Sequence, residues 1–374
     1  MMIPATAPVQ RPRDARLLTI DAFGFIRHLP RSQLIDLLRP CDVVIANDAA
    51  TIPASLRGTH APTGREIEVR LAARASLSPS SISRAVAVIF GEGDFHVRTE
   101  DRPQPPALRL GDRLLLGPLR ATVAAYMNHP RLVLLQFEGT PDDIWAGLAR
   151  HGRPVQYAHL QEPLAVWDTW TPIAGPPAAF EPPSAGFALS WGVIDALADR
   201  RIGFGTLTHA AGLSSTGDPA LDAMLPFDEP YFIPRSTARL IQRARARGSR
   251  IVAVGTSVVR ALEHAGANGG TIRSGEGLAT QRLGPGSNLR VVDAILTGTH
   301  EPGTSHHDLL QAFATSSTLD AIDATLERYG YRTHEFGDSV LLEKARERAA
   351  IPMEAIGPSH VVLGLQIQSP CAGR

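Results

Sequence analysis

The sequence predicts an α/β protein with a small all-β domain inserted into it, and three observations favour this class. Apolar runs that fit buried strands alternate with helical spacing near both ends of the chain. Between about 58 and 152, short alternating stretches are punctuated by Gly and Pro instead. The length, 374 residues, suits about two domains. We therefore expect a mixed-sheet or barrel-like α/β main domain over 1–57 and 153–374, with a barrel-like insertion over 58–152.

In the first segment, a strand is predicted over 16–21, a helix over 30–38 and a second strand over 42–46. The second strand is a continuous apolar run, which is typical of a strand buried on both faces of a sheet. The insertion is expected to hold five short strands, at 67–71, 85–90, 113–116, 120–126 and 131–137.

The helix and strand alternation returns after a Pro-rich crossing at 172–183. Ser236 is a plausible N-cap for a helix that Gly248 ends. The elements predicted beyond the crossing are helices at 190–200, 236–247 and 259–265, and strands at 202–207, 250–254 and 289–296.

The composition excludes several classes of function. The 37 Lys and Arg residues balance 37 Asp and Glu residues, so any RNA must bind at a local patch. Lys344 is the single lysine, which argues against phosphate loops and Schiff-base chemistry. Cys41 and Cys371 are too few for a disulfide framework or Cys-ligated zinc. Without a secretory or membrane-spanning apolar run, we expect a cytoplasmic protein with no membrane partner.

The turn Gly255, Thr256 and Ser257 is the strongest local signal of a binding site. It follows a predicted strand and opens a helix, whose free N–H groups can bind a carboxylate or phosphate. Arg260 and Glu263, one helical turn later, form either an exposed ion pair or part of the site. Their position near a strand end favours the site, because ligands of open α/β sheets bind there.

Histidines follow two other predicted strands. His300, close to Thr297, is a candidate general base. His209 follows the strand at 202–207 and could equally be a half-buried histidine with a hydrogen-bond partner. The residues at 306–308, His-His-Asp, lack the spacing of a metal site, so we expect no metal.

Two further features have both a functional and a purely structural interpretation. Asn47 and Asp48 follow the first apolar strand and could bind a ligand hydroxyl, although an Asx turn is slightly favoured. Arg239, Arg243 and Arg247 form a basic stripe on one helix, which could bind RNA phosphates. A solvated helix face is the favoured interpretation of the stripe.

Longer motifs extend over most of the chain in a known order: RIVAVGTSVVRALE at 250–263, VVDAILTGTHEP at 291–302 and YRTHEFGDSVLL at 331–342, with further matches at 13–18, 42–56, 64–69 and 305–314. These motifs resemble the S-adenosylmethionine:tRNA ribosyltransferase-isomerase family of queuosine biosynthesis. The resemblance implies transfer of a ribosyl unit from S-adenosylmethionine, as co-substrate, to an aminomethyl-deazaguanine base in tRNA. Adenine and methionine would leave and epoxyqueuosine would form, without a metal or redox cofactor.

The resemblance also implies roles for particular residues. His300, His209 and Glu229 are the catalytic candidates. The candidates for substrate contact are Asn47, Asp48, Glu68, Ser184, Gly186, Gly212, Gly255, Thr256, Ser257, Arg260, Glu263, Asp293 and Thr297.

The chain departs from the family at several polar motif positions. Asn47 is followed by Asp-Ala-Ala instead of Asn-Thr-Arg, Ala188 replaces a histidine, and His209 is displaced by one position. Of a His-Ser-Glu motif only Glu229 remains. We therefore expect a divergent member, and two alternatives stay open. One is an enzyme that uses S-adenosylmethionine with another nucleoside or small-molecule acceptor, and the other is a nucleoside- or RNA-binding protein without catalysis.

Overall fold

The computed structural model describes residues 2–345. Its first segment contains β1 (Ile3–Pro4), β2 (Arg16–Ile20), β3 (Ile26–Pro30), α1 (Leu34–Leu37), β4 (Val43–Asn47) and β5 (Ala50–Thr51). The two predicted strands therefore form. The helix expected over 30–38 is shorter than predicted, because Pro30 still pairs with Arg16 in a strand and a 3-10 turn over Arg31–Gln33 comes first.

The next six strands close into an antiparallel barrel in the order β10-β11-β8-β7-β6-β9. They are β6 (Ser55–His60), β7 (Arg65–Ala73), β8 (Arg84–Phe90), β9 (Arg113–Leu116), β10 (Leu119–Met127) and β11 (His129–Phe137), and α2 (Pro141–His151) follows. The chain enters and leaves the barrel domain at adjacent points, because Ser55 and Arg153 exchange two backbone hydrogen bonds of 2.9 and 2.8 Å. An all-β barrel is thus confirmed, while the boundaries at 58 and 152 stay a prediction.

The remaining described chain alternates helices and strands: β12 (Pro177–Ala179), α3 (Trp191–Asp199), β13 (Gly203–His209), α4 (Pro219–Asp222), β14 (Glu229–Ile233), α5 (Arg235–Ala246), β15 (Ile251–Val254), α6 (Thr256–Ala265), β16 (Gly275–Ala279), β17 (Ala294–Gly298), α7 (Ser305–Leu310), α8 (Ser316–Arg328), β18 (Arg332–Thr333) and β19 (Ser339–Glu343). Within residues 2–345, no helix is both long and apolar enough to cross a bilayer.

A mixed nine-stranded sheet organises this domain, in the order β16-β14-β13-β4-β15-β17-β19-β2-β3. The four central strands β13, β4, β15 and β17 are parallel, so their carboxyl ends meet at one edge. Val43 and Ile45 pack into the core on one face, under α5, α6 and α8, whereas Val44 and Ala46 pack into the core on the other face, under α1 and α3. Alternation along the strand thus explains its continuous apolar run. The predicted α/β class is confirmed.

Three predicted boundaries are wrong. Helix α5 begins at Arg235 with Pro234 as its N-cap, not after Ser236, and α6 begins three residues earlier than predicted, at Thr256. The apolar run at 289–296 is only partly a strand, because the Glu263 carboxylate accepts the N–H groups of residues 290–292. Those backbone donors bond to a side chain instead of a neighbouring strand. The final strand of the sheet in chain order is β19.

Candidate active site

A cleft lies at the carboxyl edge of the four parallel strands and has two adjoining parts. The larger part has a volume of about 490 Å³ and the smaller part about 90 Å³. A shared wall separates them, formed by Glu181, Pro182, Ser184, Gly298, His300 and His306. Ligands bind at this edge in open α/β sheets, so the cleft is the natural candidate for an active site.

The structure brings only part of the predicted site residues to this cleft. Those that line it are Ser184, Gly212, Glu229, Gly255, Thr256, Ser257, Arg260, Thr297 and His300. Those that line neither part are Asn47, Asp48, Glu68, Gly186, His209, Glu263 and Asp293.

The turn after β15 forms one wall of the smaller part. Gly255 has a φ of +95°, a conformation that L side chains rarely adopt. Its N–H donates to the carbonyl of Leu296, 2.8 Å away, which ties the ends of β15 and β17 together. No side chain caps the N-terminus of α6. The first N–H groups of this ten-residue helix are therefore available to an anionic ligand.

Arg260 is buried and its guanidinium bonds to four protein groups. It forms an ion pair with Glu229 and donates to the carbonyls of Phe227, Ala279 and Gln281, the last two 2.8 and 3.0 Å away. The exposed Arg260–Glu263 pair considered from the sequence is thus wrong, because both side chains are buried and have other partners. Arg260 stiffens the wall of the smaller part.

Glu263 and Asp293 have structural roles away from the cleft. Glu263 accepts the three backbone N–H groups described above, at 2.7 to 2.9 Å. The Asp293 carboxylate accepts the N–H of Ile251 at 2.8 Å, at the amino end of β15 and hence at the opposite edge of the sheet. Substrate contact is not supported for either residue.

Asn47 and Asp48 connect loops at the carboxyl edge of the sheet. The Asn47 amide donates to the carbonyl of His209 at 3.0 Å and to Ser257 Oγ at 3.3 Å. Its oxygen accepts the N–H of Ala49, two residues on, which is the Asx turn favoured by the sequence. Asp48 accepts the hydroxyl of Thr208. Gly186 is also structural, because a Cβ there would meet Thr171 at 2.9 Å.

His209 is completely buried and lines neither part of the cleft. Burial, followed by the charge of Arg260, lowers its pKa to about 3. Its Nε2 lies 3.4 Å from Glu229 Oε2. The Glu229 carboxylate in turn accepts the N–H of Gly212 at 2.6 Å. His209 is therefore a neutral support beneath the site, and the general-base role considered from the sequence is not supported.

His300 lies in the shared wall between the two parts. Its Nε2 is 2.7 Å from the Thr297 hydroxyl, and its ring centroid is 4.9 Å from that of His306. Burial first, and then the charges of three neighbouring histidines, lower the pKa of His300 well below its ordinary value. The imidazole is consequently neutral at physiological pH and can accept a proton or a hydrogen bond.

Glu181 lies in the same wall and was missed by sequence reasoning. Burial raises its pKa to about 7, and the Tyr157 hydroxyl donates to it. A carboxyl group that titrates near neutral pH is typical of a general acid or base. The sequence signal that could have identified it is its position as the single charged residue, between Phe180 and Pro182, in the Pro-rich segment 172–183.

Glu68 lies on β7, on the face of the strand opposite to the barrel core. It accepts hydrogen bonds from Arg70 and Ser55, both at 2.7 Å, and also pairs with Arg102. The Arg70 guanidinium lies 5.4 Å from the centre of the Tyr157 ring. Burial by itself would raise the pKa of Glu68, but the two arginines outweigh it and bring the pKa to about 2. Glu68 is thus connected to Glu181 through Arg70 and Tyr157.

A neutral histidine and a carboxyl of raised pKa in one wall of a cleft are typical of catalysis. The fold and the cleft thus define a candidate enzyme site at the carboxyl edge of an α/β sheet. Residues 2–342 match the family model described as queuosine biosynthesis protein. The chain belongs to this family, which confirms the resemblance seen in the motifs.

Curated relatives cover most of the chain. A Methylobacterium sp. (strain 4-46) protein named S-adenosylmethionine:tRNA ribosyltransferase-isomerase is 34% identical, over 92% of this chain and 96% of its own. A Thermus thermophilus protein of the same name is 31% identical, over 88% and 93%. The crystal structure of S-adenosylmethionine tRNA ribosyltransferase from Thermotoga maritima aligns with a TM-score of 0.47 and 22% identity, over 91% and 96%.

Proposed function

We propose that this protein transfers the ribosyl unit of S-adenosylmethionine to the aminomethyl group of a deazaguanine base in tRNA, in the cytoplasm. Adenine and methionine leave and epoxyqueuosine forms. The observation that carries the proposal is the shared wall, where Glu181 offers a carboxyl of raised pKa and His300 a neutral imidazole between the two parts of one cleft. Membership of the queuosine biosynthesis family supports the choice of substrates.

The smaller part of the cleft suits the methionine end of the co-substrate. Its wall at Gly255, Thr256 and Ser257 offers the uncapped N-terminus of α6 to a carboxylate. Arg260 lines the same part of the cleft. Because the Arg260 guanidinium already bonds to protein groups, we assign the carboxylate to the helix terminus and a positioning role to Arg260.

We assign proton transfer to residues of the shared wall. The positive sulfonium acidifies the neighbouring ribose C–H bond, so a base can take that proton while the released electron pair helps to expel adenine. Glu181 is the better base, since its pKa of about 7 lies near working pH. His300 stays neutral and supplies a hydrogen bond, held by Thr297. The acceptor amine then binds in the larger part of the cleft, beside this wall.

A His300→Ala variant is expected to lower kcat by about 100-fold, because it removes a positioned hydrogen-bonding group from the reacting centre. Adenine release at saturating S-adenosylmethionine measures the effect. Thr297→Val is the matched variant that keeps the ring and removes only its 2.7 Å partner. Its loss should be smaller, and an unchanged rate in His300→Ala would rule out our assignment.

A second candidate function keeps S-adenosylmethionine and changes the acceptor. It is favoured by Ala49 and Ala50, which are buried where the family motif has a hydroxyl and an arginine. The arginine stripe does not argue for tRNA, because Arg239, Arg243 and Arg247 are exposed on a helix that leads away from the carboxyl edge.

An adenine-release assay separates these functions. The protein is incubated with S-adenosylmethionine and tRNA carrying the aminomethyl-deazaguanine, the same tRNA with guanine, or the free modified base. Release that depends on the modified tRNA is expected. Release with the free base alone would support another acceptor, and binding of S-adenosylmethionine without release under any condition would support a non-catalytic protein.

A further inference from the structure

The larger part of the cleft contains a second cluster of chemically active side chains, at the far side from the Gly255 turn. His159, His334 and Glu335 line it, and each offers one ligand atom within 4.8 Å of the other two. The His159 Nε2 lies 3.0 Å from a Glu335 oxygen. These residues are up to 176 positions apart in sequence, so no local spacing reveals them.

The backbone at His334 is unusual. Its φ is +68°, a left-handed conformation that few residues other than glycine adopt. Backbone strain of this kind concentrates at functional positions. The conformation places the His334 ring against that of His159, with centroids 4.0 Å apart.

A candidate fourth ligand, a carboxylate oxygen, lies near the cluster. Glu301 also lines the larger part, and its Oε1 lies 3.9 Å from His334 Nε2. Two imidazoles and one carboxylate form the donor set of many catalytic zinc sites, in which a fourth position stays open. Imidazole nitrogen with carboxylate oxygen suits zinc and similar transition metals better than calcium or magnesium.

We propose that His159, His334 and Glu335 bind a divalent transition metal ion, with Zn²⁺ as the best fit, and that its open position faces the larger part of the cleft. The two imidazole rings are stacked at an interplanar angle of 9°, so one ring must rotate out of the stack before both nitrogens point at one ion, while the Glu335 carboxylate already lies 3.0 Å from His159. The open position would take water or an oxygen or nitrogen of the acceptor. This goes beyond the proposed function, which requires no metal.

The test uses the full-length protein stripped with a chelator and then titrated with Zn²⁺ by calorimetry and with Co²⁺ by visible absorption. One ion per chain is expected, with absorption typical of tetrahedral or five-coordinate Co²⁺. His334→Gly and Glu335→Gln should each weaken binding by at least about 100-fold, since loss of even an outer-shell partner costs 10- to 100-fold. Glycine at 334 also accepts the positive φ, so this variant keeps its fold.

His96→Ala is the matched control, because His96 is exposed and pairs with Asp94 on the barrel. It should bind the ion like the unmodified protein. The proposal is overturned by the absence of stoichiometric binding, which would leave the cluster a simple histidine–carboxylate pair. Binding that survives both His334→Gly and Glu335→Gln would overturn it as well. Neither result depends on adenine release, so a failure of this proposal can be distinguished from a failure of the proposed function.

Discussion

Turnover of a Glu181→Gln variant is expected to fall by about 100-fold or more, measured as adenine release at saturating substrates. Glutamine keeps the size of the side chain and an oxygen to accept the Tyr157 hydroxyl, but it cannot take a proton. Because the site favours the neutral carboxyl, the neutral amide should leave the fold intact. Circular dichroism and the thermal midpoint check that point.

The pH dependence identifies the base. Since Glu181 has a pKa of about 7 and must be ionised to accept a proton, kcat/KM should rise with pH through about 7. The residual activity of Glu181→Gln should lack this rise. His300 titrates well below its ordinary range and cannot supply the rise itself. A variant that retained either the full rate or the rise would show that another group is the base.

The same carboxyl should affect stability in a predictable direction. Its folded pKa of about 7 exceeds the ordinary 4.5, so the folded state binds more protons between these values. The free energy of unfolding should therefore decrease as pH rises from about 4.5 through 7. Urea unfolding at pH 5 and pH 8 measures the difference, which should be smaller in Glu181→Gln.

The largest loss of stability is expected from Glu68→Gln, about 3–5 kcal/mol in the free energy of unfolding. Glu68 pairs with Arg70 and Arg102, whose side chains are each only 1% exposed. Removing the negative charge leaves two buried guanidinium groups without their counter-ion. Urea unfolding at neutral pH measures the loss.

Glu138→Gln is the matched control in the same barrel. Its carboxylate pairs with Arg113, but both side chains are about half exposed, so the change should stay below about 1 kcal/mol. Equal losses in the two variants would contradict the role given to the buried pairs.

Acid should weaken the same contacts. The arginines hold the pKa of Glu68 at about 2, below the ordinary 4.5. The stabilisation is present above pH 4.5 and is lost as pH falls through 2, because the unfolded state then binds the proton more readily. The decline between pH 5 and pH 2 should be smaller in Glu68→Gln than in the unmodified protein.

Local patterns accounted for the regular structure and for part of the site. The apolar run from Val43 to Ala46 predicted a strand buried on both faces, and the structure packs its alternate residues into two cores. The Gly255 turn and His300 lie at strand ends, as predicted, because the carboxyl ends of parallel strands meet at one edge.

The same patterns failed where burial decides a polar side chain's role. Arg260 and Glu263 have the spacing of an exposed pair, yet both are buried and bond elsewhere. His209 follows a predicted strand like His300, but it is the last residue of β13 and lines no part of the cleft. Nothing in the local sequence distinguishes the two histidines, since other segments determine which one they cover.

The sequence by itself therefore determined the α/β class, the inserted barrel, the family and the edge of the sheet at which the candidate site lies. All of these depend on short-range periodicity, turn residues and motif order. Only the tertiary structure decided that Glu181 has a raised pKa and that His159 meets His334 and Glu335. Such properties depend on desolvation and on contacts between segments far apart in the chain, which no local pattern encodes.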